Sequence, residues 1–161
     1  MTRLAAALLA TAIVAGPAAA EPRKLDMAAF FSGRTHSENV LKIAFKQPKR
    51  LIVDSVGRVE GKDLVLIDTV REEGEAVRIR KWVMRPTGPN GYTGTLSDAL
   101  GPVQVQVAGD TATIRYVMKS GLKVEQKLQL RADGKSLSNQ TVAKKFGMKF
   151  ARVEGTVRKL D

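Results

Sequence analysis

The residue pair with the clearest capacity for chemistry is Asp68 and Arg80. Asp68 has the period-two spacing of Leu64, Leu66 and Val70, so its carboxylate is predicted to face the interior from an apolar strand face. A buried charge without a partner is costly, and a partner is therefore expected. Arg80 has inward spacing on the next strand and is the expected partner. The pair is either a structural ion pair or a site that orients the head of a ligand.

Two aromatic residues, Trp82 and Tyr116, also have inward spacing on predicted strands. Each carries a hydrogen-bond donor that must be satisfied when it is buried. Each is therefore either a core aromatic with a local partner or a residue that lines a pocket. Together with Asp68 and Arg80 they form the predicted ligand-binding set.

The sequence contains no recognisable catalytic arrangement. His36 is the only histidine, it lies in a polar run just after a predicted helix, and no nucleophile motif accompanies it. Glu60, Asp68 and Glu154 have no spacing that places two carboxylates together. We therefore expect no catalytic residue, a surface or barrel-rim position for His36, and a protein that is not an enzyme.

Metal and cofactor sites are not expected either. One histidine and no cysteine leave only carboxylates as ligands. Glu72, Glu73 and Glu75 resemble a solvated hairpin turn more than a calcium loop.

The elements that must position these residues are strands. Leu41, Ile43 and Phe45 alternate with polar or small residues, and residues 122–131 give the clearest strand, with one apolar and one wet face. Glycine-containing turn signals separate these runs at 60–63, 72–75, 89–91, 108–110, 120–121 and 132–135. About eight to ten strands joined by tight turns favour closure, because closure removes the edges.

The predicted fold is all-β: a lipocalin-like antiparallel up-and-down β-barrel. An open, strongly curled sheet or a two-layer sandwich is the alternative. One short helix is expected at the N-terminal side of the barrel. Asp26 would cap it, Phe30 and Phe31 would plug one end of the barrel, and Gly33 would end it in a left-handed conformation.

Residues 1–20 have the features of a secretory signal peptide. Arg3 supplies a positive start, an apolar run follows that is too short to span a bilayer, and Ala18 and Ala20 are the small residues before a cleavage site. A buried or interfacial alanine-rich helix is the alternative. We expect cleavage before Glu21, one barrel domain at residues 21–161, and a location in the periplasm.

The charge balance is strongly basic. The chain has 27 Lys and Arg against 16 Asp and Glu, and loss of Arg3 would leave a formal charge of +10. A positive charge of this size attracts anionic partners. Because an exported protein does not meet nucleic acid, the expected partners are anionic lipids or acidic ligands. Lys49-Arg50, Lys144-Lys145 and Arg158-Lys159 could touch an anionic membrane surface weakly. Alternatively, the charge only keeps the protein in solution.

Six segments, taken in order and spacing, resemble the bacterial domain-of-unknown-function family 3833. They are residues 25–33, 59–61, 80–82, 92–95, 137–139 and 145–149. The resemblance implies an exported, lipocalin-like protein of uncharacterised activity, and several such proteins are anchored as lipoproteins. This chain lacks the cysteine for such an anchor, and residues 124–133 lack the acidic-tryptophan segment associated with the family.

Three functions remain open from the sequence. The first is a periplasmic binding protein whose barrel holds a fatty acid or another small amphipathic ligand. The second is a ligand-free envelope protein that acts through its basic surface, which predicts a filled barrel. The third is an isomerase or cyclase of the kind that lipocalin-like barrels support.

Overall fold

Period-two alternation along the chain produces ten antiparallel strands and one short helix. The computed structural model describes residues 23–161, so the predicted signal peptide and its cleavage position lie outside the described residues. The elements are α1 (Met27–Phe31), β1 (Gly33–Ile43), β2 (Lys49–Glu60), β3 (Asp63–Glu72), β4 (Arg78–Gly88), β5 (Gly91–Leu96), β6 (Val103–Ala108), β7 (Thr111–Val117), β8 (Lys123–Leu130), β9 (Ser136–Lys145) and β10 (Met148–Lys159).

The strands form a closed up-and-down barrel. Each strand pairs with the next in sequence, and β1 closes the barrel against β10 over the register Thr35–Lys159 to Ile43–Ala151. The predicted lipocalin-like barrel with a short helix is confirmed. Closure leaves no free sheet edge, which excludes the open sheet and the sandwich.

The helix α1 closes one end of the barrel. Its first turn is capped by Asp26, whose side chain accepts a hydrogen bond from Ala29 N at 3.0 Å. Phe30 and Phe31 are buried and pack edge to face, with ring centroids 5.1 Å apart. Lys159 Nζ donates to the carbonyl of Phe30 at 3.1 Å, which satisfies a carbonyl at the helix C-terminus. The helix therefore closes this end of the barrel, as predicted.

The opposite end of the barrel is here named the open rim. β1 leaves α1 and runs away from it, so the connections after every odd-numbered strand meet at this rim. They comprise residues 44–48, 73–77, 97–102, 118–122 and 146–147. Within residues 23–161, no helix is long and apolar enough to span a membrane.

One strand ends earlier than its sequence pattern suggests. The alternation continues through Phe45, but β1 stops at Ile43, and Lys46 N bonds Ile43 O at 3.1 Å. Phe45 occupies this turn with a φ of +62°, and its side chain is fully exposed. The prediction that Phe45 continues the inward face of β1 is wrong, because the turn removes it from the sheet.

Candidate functional site

A cavity of about 360 Å³ lies inside the barrel between α1 and the open rim. Met27 and Phe31 of the helix form its floor, while Ile43 and Phe150 lie near its mouth. The remaining wall combines aliphatic side chains, such as Leu66 and Val153, with polar and aromatic ones. A barrel of this size can be filled by its own side chains, so the free volume distinguishes a ligand-holding interior from a packed one.

Asp68 is the centre of a buried polar cluster in the cavity wall. Its side chain is almost fully buried and accepts three hydrogen bonds. Ser55 Oγ donates to Oδ1 at 2.7 Å, while Arg80 Nη2 and Trp82 Nε1 donate to Oδ2 at 2.9 and 2.8 Å. The sheet register explains the cluster, because Asp68 lies directly opposite Ser55 on β2 and Arg80 on β4. The predicted contact between Asp68 and Arg80 is therefore present, and Ser55 is a partner that the sequence did not suggest.

Arg80 has a donor that the protein itself does not satisfy. Its Nε is buried and has no hydrogen-bond partner among the described residues. An unsatisfied buried donor costs about 1–3 kcal/mol, and the cost is higher for charged groups. Arg80 is one of the residues that line the cavity, but Nε itself has almost no accessible surface, so an acceptor in the cavity reaches it only when the guanidinium turns.

Trp82 and Tyr116 form one aromatic wall of the cavity. Their rings pack edge to face with centroids 5.7 Å apart. The Arg80 guanidinium lies 5.7 Å from the Trp82 ring centroid, which is a cation–π distance. Burial raises the pKa of Tyr116, so its hydroxyl remains a neutral donor at physiological pH. All four predicted ligand-binding residues therefore line one cavity.

A second polar cluster crosses the opposite wall of the cavity, and none of its residues is among the predicted site residues. Asn139 Nδ2 donates to Asn39 Oδ1 at 2.9 Å across strand β10, and Asn39 Nδ2 donates to Ser37 Oγ at 2.6 Å. Gln126 Nε2 and Thr141 Oγ1 donate to Asn139 Oδ1 at 3.0 and 3.1 Å. The signal was present, because all five residues have the inward period of their strands.

Gly155 makes that polar ladder possible. It lies between Asn39 and Asn139 in the register of β1, β10 and β9. A Cβ at this position would lie 2.4 Å from Asn39 Oδ1 and 2.1 Å from the carbonyl of Glu38. Only a residue without a side chain lets the Asn39 amide pass over β10 to reach Asn139.

The sequence suggested a solvated hairpin turn at residues 72–75. The structure differs, because this acidic segment is not uniformly solvated. Glu72 lines the cavity, and its side chain is largely buried. It accepts from Lys49 Nζ at 3.3 Å and from Arg78 at 3.5 Å. Lys49 also pairs with Glu75 at 2.8 Å, so this part of the rim is internally neutralised.

The remaining titratable candidates lie away from the cavity. His36 sits on the outer face of β1 and contacts Asp54 at 2.6 Å, which matches the predicted surface position. Glu60 pairs with Arg58, and Glu154 pairs with Lys42 at 3.5 Å. Both carboxylates are exposed, and neither is among the hydrogen-bond partners of the buried Asp68. Within the part of the chain that the structure describes, no cluster of metal-ligating side chains is present.

Sequence comparison identifies the family. Residues 9–159 match the family described as Protein of unknown function (DUF3833). The chain belongs to this family. The resemblance derived from its six short segments is therefore confirmed. No curated protein matches the chain in sequence.

Solved structures similar to this DUF3833 chain share its barrel. An S-type phycobiliprotein lyase, CPES from Guillardia theta, aligns with a TM-score of 0.64 at 9% identity and covers 83% of this chain and 90% of its own. The protein Rv2717c from M. tuberculosis aligns with a TM-score of 0.59 at 12% identity, covering 83% and 94% respectively. At such low identity the likeness shows the fold.

The first of these neighbours corrects one expectation. The absence of a catalytic motif led to the prediction that the DUF3833 chain is not an enzyme. That prediction is wrong, because a barrel with the same fold is a lyase. A missing sequence motif does not exclude catalysis on this scaffold, because barrels of one fold host different chemistries.

Proposed function

We propose that the chain is an exported periplasmic protein whose barrel binds a small amphipathic molecule with an apolar tail and an acidic head, such as a fatty acid. The observation that carries the proposal is an apolar cavity with the unpartnered Nε of Arg80 in its wall. The proposal concerns the ligand and is independent of whether the barrel also transforms it.

The cavity suits the tail of such a ligand. Its volume of about 360 Å³ falls within the roughly 300–1,000 Å³ typical of ligand sites. About half of the residues between the floor and the mouth are Leu, Val, Ile or Met, and the polar residues among the others belong largely to the Asp68 and Asn139 clusters. Burial of an alkyl chain against the aliphatic side chains contributes about 0.8 kcal/mol per methylene group.

The wall formed by Arg80, Trp82 and Tyr116 suits the acidic head group of such a ligand. Asp68 already neutralises part of the Arg80 charge, but it engages only Nη2 and leaves Nε free. A ligand carboxylate would accept from Nε after the guanidinium turns toward the cavity, and the protonated Tyr116 hydroxyl is a second donor in the same wall. A charge-assisted hydrogen bond of this kind is about twice as strong as a neutral one.

The cavity argues against the alternative in which the barrel holds no ligand. That alternative predicts a barrel filled by its own side chains, whereas this barrel encloses free volume. The basic exterior supports an additional, weaker interaction with anionic membranes, on the order of 1 kcal/mol per engaged Lys or Arg. Raised salt should abolish that attraction.

The ligand proposal is tested by fluorescence titration with cis-parinaric acid, followed by displacement with oleate and with oleyl alcohol. We expect oleate to displace the probe at lower concentration than the alcohol, because only the acid can pair with Arg80. R80Q protein that keeps the circular dichroism spectrum of the wild type should lack this preference. Failure of both oleate and probe to bind, together with no added mass in native mass spectrometry of protein from its own host, would overturn the proposal.

Export is tested separately. Protein recovered from the periplasmic fraction of its host should begin at Glu21, because Ala18 and Ala20 are the small pair that a signal peptidase reads. An N-terminus at Met1, or recovery only from the cytoplasm, would overturn it.

A further inference from the structure

Two phenylalanines project from neighbouring hairpin tips at the open rim. Phe45 is fully exposed in the β1–β2 connection, and Phe146 is 90% exposed in the β9–β10 connection. The two tips are adjacent because β1 pairs with β10, and Ala44 N bonds the carbonyl of Phe150 at 2.9 Å. Met148, 70% exposed, and Phe150 extend the patch toward the cavity mouth. These four residues are here named the phenylalanine rim.

Neither tip phenylalanine is explained by folding. Phe45 and Phe146 have φ values of +62° and +51°, and they are the non-glycine residues with positive φ in the described part of the chain. Bulky side chains rarely adopt this conformation, and it costs on the order of 1 kcal/mol or more. Phe146 and Gly147 both have positive φ in a two-residue hairpin turn, where Asn-Gly is the favoured sequence. The chain therefore keeps a strained, water-exposed aromatic ring where a small polar residue would be more stable.

A row of three lysines flanks the phenylalanine rim on one side. Lys123, Lys144 and Lys149 lie side by side on β8, β9 and β10, directly opposite one another in the register. Like charges in facing positions destabilise a sheet. None of the three forms a salt bridge with a described residue, unlike Lys49, which begins β2 after the Phe45 tip and pairs with Glu72 and Glu75. These three residues are here named the lysine row.

We propose that the open rim docks on an anionic phospholipid bilayer, with Phe45 and Phe146 inserted and the lysine row on the lipid phosphates. Aromatic rings with an apolar body suit the boundary between head groups and acyl chains, and lysines bury their stems there while their charges stay at the head groups. Lys145 already places its Nζ 5.9 Å from the centre of the Phe146 ring.

The shape and charge of the rim favour a bilayer over a protein partner. Phe45 and Phe146 protrude from two separate tips and do not form a flat or concave apolar face. The lysine row flanks the β9–β10 tip that carries Phe146. The carboxylates of the rim connections lie elsewhere: Glu73 and Glu75 are in the β3–β4 connection, where Lys49 holds Glu75, and Asp98 is in the β5–β6 connection. Because Ile43 and Phe150 line the cavity next to these tips, docking turns the cavity mouth toward the lipid. This docking goes beyond ligand binding and does not require it.

The test is co-sedimentation with vesicles of phosphatidylglycerol and phosphatidylcholine, and with vesicles of phosphatidylcholine alone. The variant F45N/F146N puts asparagine, which tolerates positive φ, at both tips. We expect it to fold with equal or higher thermal stability, because it relieves strain, and to bind the anionic vesicles at least about tenfold more weakly, because two inserted rings are lost. Its matched control, V56T/V59T, removes exposed apolar surface on β2 and should bind like wild type.

The lysine row is tested by K123Q/K144Q/K149Q against K24Q/K62Q/K135Q. Both triple variants lose the same charge, but the second set lies at the end of the barrel closed by α1. The first should lower binding to anionic vesicles about tenfold or more, and the second should change it little. Every variant has the same N-terminus as the wild-type protein, so differences report on the rim.

Three results would overturn the docking proposal. One is an equal loss of vesicle binding in the two triple lysine variants, which would show that net charge alone attracts the protein to the membrane. Another is unchanged binding by F45N/F146N. The third is sedimentation equilibrium showing a vesicle-free dimer that F45N/F146N dissociates, which would make a second copy of this chain the occupant. Titration of F45N/F146N with cis-parinaric acid separates this outcome from the cavity proposal, because the interior is unchanged.

Discussion

Asp68 and Arg80 face each other on β3 and β4, and Arg80 Nη2 donates to Asp68 Oδ2 at 2.9 Å. Ser55 and Trp82 donate to the same carboxylate. The pair is therefore part of a buried network and is not an isolated ion pair. Removing one member leaves other groups without partners, so the energetic cost is expected to be shared among them.

Replacing either charge alone should be strongly destabilising. Loss of Arg80 in R80L leaves the Asp68 carboxylate buried without a cation, and loss of Asp68 in D68L leaves the arginine uncompensated. Each should lower the free energy of unfolding by about 3–5 kcal/mol. The double variant should cost less than the sum by about 1–3 kcal/mol, as measured by urea denaturation in a double-mutant cycle. Strictly additive effects would mean that the two side chains are not energetically coupled.

The cavity predicts opposite effects for two alanines. Ala143 on β9 lines the cavity, whereas Ala112 on β7 is fully buried in the hydrophobic core and does not line it. The ring in A143F can occupy free volume, so it should change stability by less than about 1 kcal/mol, while A112F should cost about 1–3 kcal/mol or more by overpacking. A143F should also weaken binding of cis-parinaric acid. Equal destabilisation by both changes would argue that the interior is packed.

Strand periodicity was sufficient to predict the barrel and most of its inward residues. The alternation around Asp68 places it correctly, because a strand fixes which side chains share a face. The contact with Arg80 followed from the cost of burying a lone carboxylate. These inferences use local spacing and one energetic rule, and both hold in the structure.

Other features depend on register between strands that are distant in sequence. The Asn39–Asn139 hydrogen bond joins residues 100 positions apart, and no local pattern reveals that Gly155 separates them. The position of Phe45 was mistaken because a turn ended the strand while the hydrophobic alternation continued. Alternation of apolar and polar residues predicts which side chains face inward only for residues that belong to the strand.

The contact between His36 and Asp54 should make stability depend on pH. The hydrogen bond to Asp54 raises the pKa of His36 above its ordinary value of 6.5, and the same bond lowers the pKa of Asp54 below 3.8. The histidine contribution is complete below pH 6.5 and is lost as the pH rises through the raised pKa; the aspartate contribution is lost as the pH falls. Both groups are substantially solvated, so the effect should be under about 1 kcal/mol.

His36 is the only histidine, so a single imidazole signal in NMR reports its titration. We expect a midpoint above 6.5 in the wild type, a return toward 6.5 in D54N, and a smaller change in E38Q, because Glu38 is farther away at 3.5 Å. A wild-type midpoint at or below 6.5 would contradict the assignment.

The last prediction concerns the closure of the barrel at Gly155. Its φ is not in the left-handed region, so alanine is compatible with the backbone there, and the effect of G155A should come from crowding alone. The new Cβ would lie 2.1 Å from the carbonyl of Glu38 and 2.4 Å from Asn39 Oδ1, so β1 and β10 must separate or Asn39 must abandon Asn139. Either response leaves buried polar groups unsatisfied, and we expect a loss of about 2–4 kcal/mol in the free energy of unfolding.

G91A is the matched control for G155A. Its Cβ meets chiefly the Thr87 side chain, which can rotate, so G91A should cost under about 1 kcal/mol. Amide exchange should locate the damage, with faster exchange in β1 and β10 of G155A and unchanged protection in β3 and β4. Equal costs for the two variants, or faster exchange spread over all strands of G155A, would show that Gly155 does not act through the Asn39 ladder.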